Sequence, residues 1–208
     1  WVRGATETAN LNTTNHKAYT LLTKVGANEW GSTPDGELTE ADYNGISTND
    51  TSYTRLIASS GFYRYVRGDW NVSKVATDNG FTLSDITNIN IYYELACYNG
   101  TLVCAVYDDT NTVWRAGNAS GLDGIFSIAS SGETDFQILQ FNISANIEDY
   151  IGSTGLLKSG VRGGQADHLN MDYFVMTITY STLTTPVLNS PTSGGTGYTI
   201  TPNFDWNV

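Results

Sequence analysis

From about residue 50 onward, apolar and polar residues alternate with a period of two. The segments "SYTRLIA", "GFYRYVRG", "ITNINIYYELACY", "TLVCAVYD", "TVWRAG", "TDFQILQFNI", "GLLKSGVRG" and "MDYFVMTITY" therefore read as successive β-strands, separated by turn residues. Helical periodicity is nearly absent. The one helical segment expected is "SANIEDYIG", where Ser144 would cap a single turn that ends before Gly152. Short strands at regular spacing predict an all-β fold, a jelly-roll-like β-sandwich.

The clearest local expectation is in "IYYELACYNGTLVCAVYDD", where Asn99 and Gly100 can supply the positive φ angles of a tight hairpin turn. Ile89, Ile91, Tyr93, Leu95 and Cys97 share one face, and Leu102, Cys104 and Val106 share the facing side of the return strand. Both cysteines should point into one core. Whether they form a disulfide depends on register. A two-residue Asn99-Gly100 loop pairs Cys97 with Leu102 and leaves the sulfurs diagonal, whereas a four-residue loop sets Cys97 opposite Cys104.

The pattern divides the chain into three parts. Residues 1–50 are an irregular segment that belongs to the sandwich and holds at least one expected strand, "KAYTLLTKV", followed by the acidic, aperiodic "GANEWGSTPDGELTEADYNGISTNDT", read as a long ordered loop or as excursions across the sandwich rim. Residues 51–185 form the sandwich. Residues 186–208, "PVLNSPTSGGTGYTITPNFDWNV", look like a C-terminal β-strand extension that opens a further domain. A lone hairpin buries too little apolar surface to stand by itself, so Val187, Leu188, Tyr198, Ile200, Phe204 and Trp206 are expected to need a cover. That cover is either the next domain of a longer chain or a neighbouring subunit that accepts the tail as a donor strand. A start at Trp1 reads as a processed or excerpted terminus.

Composition narrows the function. Ten Lys and Arg against 21 Asp and Glu give a net charge of -11 over 208 residues, which repels polyanions and argues against nucleic acid as a partner. Charged residues make up only 15%, while Thr, Ser, Asn, Gly and 13 Tyr fill the polar positions, a mixture suited to extracellular or cell-surface strands with one wet face. No apolar run is long enough for membrane insertion as a helix. Sequons stand at Asn12, Asn49, Asn71, Asn99, Asn118 and Asn142, each a glycosylation candidate in an N-glycosylating organism, although some are expected by chance in so Asn- and Ser-rich a chain.

Catalytic signatures are missing from the sequence. His16 and His168 sit in segments with no nucleophile motif or metalloprotease spacing, and there is no phosphate-binding loop, so the expectation is a non-enzymatic protein. Calcium is the metal that the abundant Asp side chains would suit. The candidates are Asp108 and Asp109, Asp123, and Asp167 with Asp172, set against the plainer reading of a solvated acidic surface. For carbohydrate binding, Trp30 in the irregular loop is the aromatic expected to be exposed, whereas Trp114 on a strand is expected to pack.

The stretches "ITNINIYYEL", "TVWRAG", "IEDYIGSTGLLKSGVRG" and "HLNMDYFVMTITY" together resemble the galactose-binding and carbohydrate-binding-module-like jelly rolls of bacterial and archaeal surface proteins. Pro186, Ser190, Pro191, Gly194, Pro202, Phe204 and Trp206 resemble the first two strands of a fibronectin-III-like or Ig-like domain. The resemblance implies a modular extracellular protein concerned with adhesion, sugar binding or scaffolding, in which a structural calcium is common. Two functions follow as expectations. The first is a structural subunit of a filament, sheath or surface layer, a homopolymer assembled by β-strand addition. The alternative is a carbohydrate-binding or adhesion module of a larger cell-surface protein.

Overall fold

The structure is a computed structural model that describes residues 2–50, 52–57, 61–98, 100–164 and 168–183. Residues 186–208, with the six apolar positions expected to contact a neighbouring subunit, lie outside the described residues, as do Asn99 and Asp167.

Two antiparallel sheets face each other across one core. Sheet A runs in the order β1 (Val2–Asn10), β13 (His168–Leu183), β6 (Ile86–Cys97), β11 (Gln137–Ile143) and β9 (Leu122–Ile125), with β4 (Thr54–Ile57) continuing the β1 side of β13. Sheet B runs β10 (Ser127–Ser130), β7 (Gly100–Asp108), β12 (Leu156–Arg162), β5 (Tyr63–Asn71), β2 (Lys17–Lys24) and β3 (Gly36–Glu37), with β8 (Val113–Arg115) also on β7. Successive strands pass repeatedly from one sheet to the other, so the sandwich is jelly-roll-like, as the alternation predicts.

Each strand with clean alternation buries the expected face. Ile89, Ile91, Tyr93, Leu95 and Cys97 of β6 meet Leu102, Cys104 and Val106 of β7 in the core. The expected hairpin between them is not formed. β6 pairs with β11 and β13, and β7 pairs with β10, β12 and β8, so the chain crosses between sheets from Cys97 to Gly100. An inward-facing stripe on each of two consecutive strands fits an intersheet crossing as well as a hairpin, because the stripe specifies a face and not a hydrogen-bonding partner. Cys97 and Cys104 are therefore free, buried thiols on opposite sheets, without the cross-strand pairing on which a bridge depended.

β13 contains two alternating runs that are out of phase. Leu169 and Met171 are buried, and then Phe174, Met176, Ile178 and Tyr180 are. The register against β6 slips between Met171 and Tyr173, so Asp172 is the extra residue of a bulge that moves the apolar set back to the core. In sheet B, Val66 and Trp70 of β5 face inward, and the Trp70 indole donates to Ser159 Oγ at 2.7 Å. Tyr93 of sheet A hydrogen-bonds to the same hydroxyl, which joins the two sheets through one fully buried polar node.

The first 50 residues are more regular than their composition suggests. β1 lies along β13 from Val2 opposite Leu183 to Asn10 opposite Val175. Thr39 opens helix α1 (Glu40–Asn44) with a capping box to Asp42, and Tyr43 from that helix accepts the Ala18 backbone N–H at 2.7 Å. A second helix absent from the periodicity reading, α2 (Val72–Asn79), is capped by the Asn71 side chain and stopped by Gly80 at φ 72°. "SANIEDYIG" does form one turn, a 3₁₀ helix over Ile147–Asp149, but it is entered from Asn146 at φ 51° rather than capped by Ser144.

Candidate functional site

The outward face of sheet B is unusual for a wet β-surface. Along β5 the outward residues are Tyr63, Tyr65, Arg67 and Asp69. Register places Lys158 and Lys17 on either side of Asp69, and Gly160 and Tyr19 on either side of Arg67. It likewise places Arg162 and Leu21 on either side of Tyr65, while Tyr107 faces Trp114 on the β7–β8 pair.

Trp30 organises this face. Expected to be exposed, it is only 3% accessible. Its ring lies over Gly160, where an added Cβ would come within 2.9 Å of the Val66 carbonyl and 3.3 Å of the indole, so the absence of a side chain makes room for both the neighbouring strand and the ring. The ring meets Tyr65 edge-on at 4.8 Å and stacks with Trp114 at 5.9 Å. The Tyr65 hydroxyl donates to the Gly26 carbonyl and accepts the Glu29 backbone N–H, tying down the loop that delivers Trp30. Burial raises the pKa of that phenol, which keeps it a donor. Trp30 is thus the buried support of the face, and the half-exposed aromatics are Trp114, Tyr107, Tyr63 and Tyr19.

Three cations on the face lie against rings, while Lys17 pairs with Glu37. The Arg67 guanidinium is 5.3 Å from the Tyr19 centroid, Lys158 Nζ is 5.3 Å from that of Tyr107, and the Arg162 guanidinium is 4.8 Å from that of Tyr63. Arg67 Nε stands 3.2 Å from Asp69 Oδ1, an ion-pair contact outside hydrogen-bond geometry. Arg67 Nε, Asp69 Oδ1 and Arg162 Nε are buried and have no hydrogen-bond partner. Burial raises the Asp69 carboxyl pKa, against the opposing pull of Arg67 and Lys158. The Arg67–Asp69 contact joins two of these atoms as an ion pair, and the outer parts of the Arg67, Lys158 and Arg162 side chains remain half-exposed beside the rings. The alternation Tyr63-Tyr65-Arg67-Asp69 was the available signal for this site, since these four successive outward residues of β5 are aromatic or charged.

The acidic residues proposed as calcium ligands are dispersed. Asp108 is almost fully buried at the end of β7, where it accepts Arg115 Nε at 2.7 Å and the Asn111 backbone N–H at 2.8 Å. Burial would raise its pKa, but Asn111 and Arg115 outweigh that and hold it low. Asp109 follows it in the turn, Asp123 is exposed on β9 of the other sheet, and Asp172 occupies the β13 bulge. Among the described residues, no group of three His, Cys, Asp or Glu side chains is arranged to hold a metal ion.

Asp172 is buried with Oδ1 unpaired. Burial, with Glu94 and Asp50 nearby, pushes its carboxyl up to about 6. The folded state therefore favours protonated Asp172, and this contribution fades as pH rises from the ordinary value of 3.8 through about 6. Asp172→Asn is expected to raise stability at pH 7–8 by about 1–2 kcal/mol. The gain should vanish below pH 3.8, where the wild-type carboxyl is protonated in both states. Urea unfolding of both proteins across pH 3–8 measures it, and a gain that does not change with pH would show that charge is not its source.

The remaining candidates have structural employment. Asn12 accepts the Thr14 and Asn15 backbone N–H groups, Asn71 caps α2, Asn142 accepts from Asn90, Asn49 donates to Glu94, and Asn118 accepts the Gly124 N–H. His16 Nδ1 accepts the Asn71 backbone N–H at 3.0 Å, and burial lowers its pKa. His168 Nε2 lies 3.0 Å from Glu133. Elsewhere, a cleft of about 590 Å³ at one end of the sandwich is lined by Leu83, Ile86, Ala145, Ile147 and Ile151 among others, with Glu148 its one charge among the described residues. No described helix is long and apolar enough to cross a membrane.

No protein-family model and no curated protein matches the chain. Among solved structures it is similar to the carbohydrate-binding module TmCBM61, solved in complex with β-1,4-galactotriose, at 9% identity and a TM-score of 0.38, over 87% of each chain. It is also similar to the enzymatically active domain of tailspike protein 4 of bacteriophage CBA120, at 7% identity and a TM-score of 0.36. That match covers 84% of this chain and 19% of the tailspike chain.

Proposed function

We propose that the chain is a non-catalytic carbohydrate-binding module of an extracellular or cell-surface protein, and that it holds glycan on the outward face of sheet B. The observation that supports this is the row of half-exposed rings, Tyr19, Tyr63, Tyr107 and Trp114, with the partly exposed side chains of Arg67, Lys158 and Arg162 laid against them. Sugars offer the matching chemistry, with C–H faces that lie on aromatic rings and hydroxyls that satisfy directed donors and acceptors. Because the support beneath, Trp30 on Gly160, is packed, the face is preorganised and little ordering entropy opposes binding. The filament reading has no comparable support, since its donor segment lies outside the described residues.

The test is titration calorimetry against a panel of soluble polysaccharides, followed by the double variant Trp114→Ala/Tyr107→Ala. Binding is expected to weaken at least tenfold while the protein stays folded, with a melting temperature lowered only by the loss of the half-exposed Trp114 ring stacked on Trp30. Undiminished binding in the double variant, or no binding to any glycan in the panel, would remove the proposal.

A further inference from the structure

The ligand class can be narrowed from the charge of this face, an inference that rests on the module reading above. The chain has only ten Lys and Arg and a net charge of -11, yet four of those cations, Lys17, Arg67, Lys158 and Arg162, stand side by side on three neighbouring strands of sheet B. The carboxylates among them are Asp69 and, on β3, Glu37. Glu37 is taken by Lys17 at 3.0 Å, and Asp69 is shared by Arg67 and Lys158. Arg162 makes no ion pair with a carboxylate among the described residues, and its half-buried guanidinium rests on Tyr63 with Nε unpaired.

A neutral glycan would satisfy hydroxyl-directed hydrogen bonds but would leave this local positive charge uncompensated. A partly desolvated cation without a counter-charge is a standing cost, and an anionic ligand would relieve it. Guanidinium presents a planar fork that matches a carboxylate in two parallel hydrogen bonds, and a tyrosine face behind the guanidinium keeps that fork directed away from the sheet. We infer that the glycan is acidic, a uronate-containing polysaccharide with one carboxylate docked on Arg162 and another, farther along the chain, on Lys158, while its sugar rings lie along Tyr63, Tyr107 and Trp114.

The test compares polygalacturonate, alginate and hyaluronate with their carboxyl-reduced forms, which keep a polysaccharide backbone and lose the charge. At least one acidic polymer is expected to bind tenfold or more tightly than its reduced form, and the difference should shrink as salt rises from 20 to 300 mM. Arg162→Gln and, separately, the milder Lys158→Gln should each lower affinity for the acidic form severalfold to tenfold, a larger loss than either causes for the reduced form. Equal binding of acidic and reduced forms, or no effect of either variant, overturns the inference. Dextran sulfate serves as a second arm: if it binds as tightly as the best uronate and neither variant weakens the uronate, the attraction is general and the inference falls. Failure of all three acidic polymers also overturns it. In that case the neutral-glycan titrations with the Trp114/Tyr107 double variant decide separately whether the module reading survives.

Discussion

Trp30→Ala is expected to cost about 3–4 kcal/mol of stability and to abolish measurable glycan binding. The ring is 3% accessible and fills the space between Gly160, Tyr65 and Trp114, so truncation leaves a cavity in a cluster that is separate from the main core. Removal of a buried Trp costs about 3–5 kcal/mol in cores, and the smaller cluster argues for the lower half of that range. In a domain of this size that lowers the melting temperature by roughly 6–16 °C. Binding is lost for a different reason, since Trp114 loses the surface it stacks on and the aromatic border is no longer held in place. Trp30→Phe separates the two effects, because it should recover most of the stability through its edge contact with Tyr65 and only part of the affinity. Thermal melts with calorimetric titrations measure both. A Trp30→Ala protein that melts like the wild type would show that the indole is not seated on Gly160.

The second large effect is expected at Asp108, where alanine should destabilise the fold by about 2–4 kcal/mol. The carboxylate is almost fully buried and accepts from Arg115 and from both the backbone and side chain of Asn111. Its loss leaves a guanidinium and an amide without their acceptor at the turn between β7 and β8. The Arg115 side chain is one-third exposed, so water recovers part of the loss and the effect falls below that of a fully buried pair. The pH dependence follows from the lowered pKa of Asp108. Its contribution is complete above the ordinary value of 3.8 and is lost as pH falls through the lower value of the folded state. Denaturant unfolding at pH 7, 5 and 2.5 should therefore show the wild-type and Asp108→Ala curves converging only at the most acidic point. A constant gap down to pH 2.5 would mean that the interaction is not electrostatic.

Because β8 carries Trp114, the same turn also sets one border of the proposed sugar surface. Asp108→Ala should then weaken binding without removing any residue of the face. Trp30 and Asp108 are distant in sequence from each other and from β5, which shows how little of the site is local.

The sequence by itself determined which residues of each strand face inward. Alternation in β5, β6, β7, β12 and β13 marks their core-facing sets, while Tyr65, Val103 and Ala105 on the opposite face are buried as well, in the cluster with Trp30, and the phase break around Asp172 in β13 is visible as two alternating runs that do not share a frame. It determined the all-β class, because a period of two maps directly onto two faces of a strand. It also held the outward set Tyr63, Tyr65, Arg67 and Asp69, although not the neighbours that make them a site. Tertiary structure alone decided which strands pair. The crossing from Cys97 to Gly100 separates two strands that the pattern presents as a hairpin, since backbone hydrogen-bond donors and acceptors are the same at every residue and only global packing selects the partner. It alone seated Trp30. A tryptophan in an aperiodic acidic loop carries no periodicity signal, and its burial depends on a glycine 130 residues away that leaves room for the ring.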